Sequence, residues 1–162
     1  MAAKFSDQDI ELLLTERKPL PVDYRSRMKL RDKRGHKEGE FEIKGCRGSE
    51  FRLILRQSNF NPLDFSVILS YTPPKSNQSI RLRRYNGKSH EHTNQLEGTT
   101  FYNFHIHTAT ERYQDLGPRE DTYAEPTERY ADFPGALRCA LTDCGFDLPE
   151  DPQQNLFKEI WP

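Results

Sequence analysis

Long apolar runs are missing from this chain, and so is a surplus of charge of either sign. Hydrophobic residues fill 34% of the 162 positions, and no run of them is long enough to span a bilayer. No basic-then-apolar leader is legible, so the expected protein is neither exported nor embedded in a membrane. Lysine and arginine number 24 against 25 acidic residues, for a net charge of −1. That excludes a protein-wide basic field, so a nucleic-acid surface would have to be local. Cysteine is scarce as well. Three cysteines without a Cys-x-x-Cys pair make no disulfide framework, and Cys139 and Cys144 are too few for a zinc site alone. Reduced thiols in a cytoplasmic protein are the expectation.

What is present is polar but not disordered. Charged residues make up 30%, while Phe, Tyr, Ile and Leu recur throughout. The length suits a single domain over residues 1–162. Ser6 and Asp9 have capping-box spacing, and Ile10, Leu13 and Leu14 make an apolar stripe, which predicts an N-terminal helix. Arg25, Arg27, Lys29 and Arg31 alternate with Ser26, Met28 and Leu30, which predicts a strand with one basic face.

Three further alternating runs read as strands: Phe41 with Ile43, then Phe51 to Leu55, then Phe65 to Tyr71. Turn residues separate them, which predicts an antiparallel meander. Residues 111–127, with Gly117, Pro118 and Pro126, show no period. Phe133, Leu137, Ala140, Leu141 and Cys144 predict a last helix, with Gly145 as its C-terminal cap. Beyond it, Pro149, Pro152 and Trp161 leave two readings: a tail packed through Trp161, or one that trails free. The expected fold is α+β, an antiparallel sheet of five or six strands with an N-terminal and a C-terminal helix.

The segment from Ile80 to Arg112 concentrates the chemistry. It carries four of the five histidines as two His-x-His pairs, His90/His92 and His105/His107. In a strand, residues two apart share a face. Tyr102, Phe104 and Ile106 would then face the core, and Asn103, His105 and His107 would lie exposed on the other side. One strand earlier, Ile80 and Leu82 alternate with Arg81, Arg83 and Tyr85. If the two strands pair, those three join the histidine face, with His90, His92 and Asn94 in the connection above it. An oxyanion between Arg83 and His105 would fit such a surface.

Three functions are compatible with this set. In the first, histidines act as general acid and base on a phosphodiester, without metal or other cofactor. His90, His92, His105 and His107 would be the catalytic imidazoles. Arg83 would stabilise phosphoryl charge and Tyr85 would orient. Arg81, Lys88, Asn94 and Asn103 would bind a substrate, RNA or another polyanion. In the second, His90, His92, His105 and His107 ligate zinc, iron or copper in a metal-binding hydrolase-like domain. The lack of a carboxylate within either strand, and arginines expected on the same face, weigh against a cation. In the third, the face binds a partner without chemistry.

Arg83–Tyr85, His90–Asn94, His105–His107 and the Phe133–Cys144 helix resemble a group of small bacterial domains that includes the TumE-type toxins of toxin–antitoxin pairs. The resemblance covers under half of the chain. It implies a growth-inhibiting protein that acts on RNA or translation and is neutralised by a small protein partner. That group often shows Arg-x-Asp where this chain has Arg83-Arg84-Tyr85, so the carboxylate is absent here.

Overall fold

A computed structural model of the chain describes residues 4–116 and 120–149. The predicted N-terminal helix, α1 (Asp7–Thr15), starts as its sequence requires. The Ser6 side chain accepts from the Asp9 amide, and the Asp9 carboxylate accepts from the Ser6 amide. A two-residue strand, β1 (Lys18–Pro19), follows. The predicted basic strand is not formed. Tyr24–Arg27 is a single helical turn, α2, which buries Tyr24 and Met28. The apolar pair is four apart, a helical spacing, and it outweighs the alternation of charges. Only Arg31–Lys33 is extended, as β2.

The meander is β3 (His36–Lys44), β4 (Glu50–Ser58), β5 (Phe65–Thr72) and β6 (Ile80–Asn86). A short hairpin, β7 (His92–Asn94) and β8 (Thr99–Phe101), comes next, then β9 (His105–Thr108). The aperiodic segment holds α3 (Glu111–Leu116) and β10 (Ala124–Pro126). The predicted last helix is α4 (Phe133–Asp143), and β11 (Phe146–Asp147) pairs in parallel with β1. The main sheet has seven strands in the order β10-β9-β6-β5-β4-β3-β2, antiparallel throughout.

One face of the sheet carries the core. Phe51, Leu53 and Leu55 on β4 and Phe65, Val67 and Leu69 on β5 are buried against α4, through Phe133, Ala136, Leu137, Ala140 and Leu141. Ile10 and Leu14 of α1 join them. Asp132 caps α4 by accepting from the Gly135 amide, and Gly145 ends it at φ 77°. A side chain at Gly145 would meet the Glu16 carbonyl at 2.7 Å, so both backbone angle and space require glycine. Gly117, Pro118, Pro152 and Trp161 lie outside the described residues. Among the described residues no helix is long and apolar enough to cross a membrane.

An irregularity in β6 decides what faces what. The register with β5 passes from Leu69↔Arg83 directly to Ser70↔Arg81, which leaves Leu82 over. The extra residue shifts the two-residue alternation by one. Before the bulge Ile80 packs on the core and Arg81 lies opposite Ser70, as the alternation predicts. After it the phase is inverted. Tyr85 is 1% exposed in the core, and Arg84 and Asn86 take the outer face.

Candidate metal centre

Strand β9 presents His105 and His107 to the outer face, while Phe104 and Ile106 pack against the core. The neighbour β6 sets Asn86 opposite His105 and Arg84 opposite His107. Arg83 and Tyr85, expected beside the histidines, pair with Thr108 and Ile106 on the core side. An anion bridging Arg83 and His105 is therefore excluded, because the sheet lies between them. Arg81 is on the outer face but further along β6. Tyr102, expected in the core, is 51% exposed because β9 begins only at His105.

The histidine face is not exposed either. His105 is 0% and His107 3% exposed. The β7–β8 hairpin covers them and brings His92 down onto both. Ring centroids are 4.8 Å apart for His92 and His107, 4.9 Å for His105 and His107, and 5.4 Å for His92 and His105. Phe101 closes the side at 5.5 Å from His92 and 5.7 Å from His105.

Asn94 docks the hairpin. Its amide oxygen accepts from the Ala124 N–H at 2.9 Å, and its amide nitrogen donates to the Ala124 carbonyl at 2.7 Å. This extends the edge strand β10 as a strand backbone would. Asn94 is thus a buried docking residue rather than a substrate contact. Tyr113 fastens the far end, accepting from the Leu96 amide and donating to Glu97.

Each of the three rings uses one nitrogen to hold itself in place. His105 Nδ1 donates to the Asn103 carbonyl at 2.7 Å, and His107 Nδ1 to the Asp121 carbonyl at 2.8 Å. His92 Nε2 donates to Asn94 Oδ1 at 2.9 Å. These tautomers follow from the acceptors, since a carbonyl oxygen can only accept. The opposite nitrogens, Nδ1 of His92 and Nε2 of His105 and His107, carry the lone pairs, and that of His105 accepts at long range from the Asn86 amide at 3.5 Å. One nitrogen from each ring lies within 4.8 Å of the other two. Ligand nitrogens around a tetrahedral zinc stand about 3.4 Å apart at a bond length of ~2.1 Å, so modest ring movement would close the set.

Burial drives the electrostatics. It pulls His105 down to about 4, with the neighbouring His92, His90 and Arg84 acting in the same direction against the Asn103 hydrogen bond. It pulls His107 down to about 2, helped by Arg84 and by the other two rings. Both are neutral imidazoles at neutral pH, the form that binds a metal. Arg84 Nε in turn donates to the buried Asp121 carboxylate at 3.2 Å.

The remaining sequence candidates divide. His90 sits exposed at the rim, its ring 6.1 Å from His105. Lys88 is exposed and binds Leu63 only through its backbone, and Asn103 contributes its carbonyl rather than its amide. The sequence pattern gives Asn86 and Asp121 no role at the histidine face, and marks Arg84 only as part of a basic cluster with Arg81 and Arg83. Arg84 and Asn86 were hidden by the bulge, and Asp121 sits in a segment without period. No family model, curated protein or solved structure matches the chain.

Proposed function

We propose that His92, His105 and His107 hold a divalent metal ion, and that the protein is a metal-dependent hydrolase-like domain acting on an anionic substrate of the phosphodiester class. One observation carries this reading. Three imidazoles converge, and each is fixed by a carbonyl acceptor on its other nitrogen. That second layer of acceptors is the usual support of metal-bound histidine, because it sets the tautomer and raises ligand basicity. Three protein nitrogens leave a fourth position for water or substrate, the arrangement of catalytic rather than structural zinc. Neutral ligands would leave the ion's charge undiminished, so a metal held there would supply Lewis acidity toward an anionic substrate.

The metal-free alternative is less well served. A general acid must hold its proton near neutral pH, and burial has removed that capacity from His105 and His107. The RNA-directed, toxin-type activity with a small neutralising partner would use the same site. Arg84, set beside His107, is paired with Asp121, which offsets its charge next to the histidines.

The test uses untagged protein, titrated with Zn²⁺, Mn²⁺ and Co²⁺ and assayed on short RNA and on bis(p-nitrophenyl) phosphate. One ion per chain is expected in wild type and in His90→Ala. His92→Ala, His105→Ala and His107→Ala should lose both the ion and hydrolysis. Hydrolysis at the wild-type rate in excess chelator would sink the metal reading and restore the acid–base one.

A further inference from the structure

The bulge in β6 leaves a second polar site on the opposite face of the sheet. Arg83 occupies a position on the core side, opposite Leu69, where an apolar residue would ordinarily pack. Beyond the end of α4 that face opens into a cavity of about 320 Å³, lined by Arg83, Thr108, Thr127, Arg129 and Asp143 among others. Asp143 is its central acceptor. The carboxylate takes the Tyr85 hydroxyl at 2.7 Å and both terminal nitrogens of Arg129 at 2.8 and 2.7 Å.

Arg129 is paired with Asp143, whereas Arg83 has the Tyr85 hydroxyl beside it and feels Asp143 only at longer range. Asp143 is already committed to three donors, and among the described residues the buried Nε of Arg83 has no acceptor. The other acid on the lining, Glu125, is exposed and accepts from the Tyr123 hydroxyl, so solvent screens its charge. A buried guanidinium is stable only when its charge and its donors are matched. Arg129 is exposed as well, so the unmatched feature is the buried Nε of Arg83, on the wall of a concave, hydroxyl-lined space.

We propose that this cavity binds a small tetrahedral oxyanion, either free phosphate or the phosphate of a small monoester, between Arg83 and Arg129, with the hydroxyls of Thr108 and Thr127 as further contacts. The ligand would supply an acceptor for the Arg83 Nε. Planar guanidinium groups suit two oxygens of one phosphate. The site is separate from the histidine cluster, which lies across the sheet, and does not depend on the metal.

The experiment follows thermal stability of chelator-treated protein in phosphate, sulfate and phenyl phosphate, each against chloride at matched ionic strength. The chelator removes any contribution from anions on a metal. A saturable rise in melting temperature with phosphate and sulfate, beyond that with chloride, is expected in wild type and in Arg52→Met on the outer face. It should vanish in Arg83→Met and weaken severalfold in Thr108→Val and Thr127→Val. A response to phenyl phosphate as well assigns the site to monoesters, and its absence assigns it to the free ion. No rise over chloride in wild type would overturn the proposal, as would an equal rise in Arg83→Met. Should Arg83→Met fail to fold, unchanged affinity in both threonine variants overturns it instead.

Discussion

Two buried polar clusters in this protein end differently. Lys18 is 0% exposed, and its ammonium donates to the carbonyls of Leu13, Leu14 and Glu16 at the end of α1 and to that of Cys144 at the end of α4. The Phe51 ring lies 4.3 Å beneath it. Three protons meet four acceptors, so no donor is left without a partner. A cation belongs there, because helix C-termini carry partial negative charge and unpaired carbonyls. The histidine cluster, with His105 and His107 buried and His92 half-buried, is less completely matched: each ring is fixed through one nitrogen, and of the others His105 Nε2 has the Asn86 amide at 3.5 Å. Saturated polar burial joins two helices to one another, whereas unsaturated polar burial of convergent donors points to a missing ligand.

Removing a ligand should have the largest effect. His107→Ala is expected to lower Zn²⁺ affinity by more than a hundredfold, as loss of one of three protein ligands does, and isothermal titration would measure it. Equal affinity in wild type and variant would erase the difference between the clusters. Lys18→Met should instead cost about 3–5 kcal/mol in urea unfolding, because it strands the buried carbonyls of Leu14, Glu16 and Cys144, while leaving metal affinity unchanged. A Lys18→Met protein of unaltered midpoint would show that the lysine does not hold α1 to α4.

Asn94→Ala should act on the open cluster alone. It frees His92 and leaves the Ala124 backbone without its partner. Metal affinity should fall roughly 10–100-fold, the usual effect of losing a ligand's support. Loss of affinity no greater than in Thr93→Ala on the same hairpin would remove Asn94 from the site.

The smallest effect is a pH slope. Burial pulls Lys18 from its ordinary 10.5 down to about 8. Between those values the unfolded chain holds the proton and the folded one has released it. Stability should therefore rise as pH goes from about 8 to about 10.5, and the slope should flatten in Lys18→Met. A wild-type stability that falls across that window would contradict the assignment.

The alternation of Phe51, Leu53 and Leu55, and of Phe65, Val67 and Leu69, was enough to predict the meander, because one buried face imposes a period of two. The stripe from Phe133 to Cys144, with Gly145 after it, was enough for α4. Capping chemistry placed the start of α1. The same local rules failed where contacts from elsewhere decided the outcome. Tyr24 and Met28 bury as a helical pair, so the basic strand gave way to a turn of helix.

The sequence by itself determined the α+β class, the two terminal helices and the concentration of histidine between Ile80 and Arg112. Alternation alone also put His105 and His107 on one side of a strand. Tertiary structure decided the rest. A single unpaired residue, Leu82, reverses every later side chain of β6, so Arg84 and Asn86 rather than Arg83 and Tyr85 meet the histidines. No local signal marks such a bulge, because it arises from the register of two strands. The burial of the cluster depends on a hairpin that folds back and docks through Asn94 on β10, a strand thirty residues later in the chain. Periodicity is a property of neighbouring residues, and closure of a site is a property of distant ones.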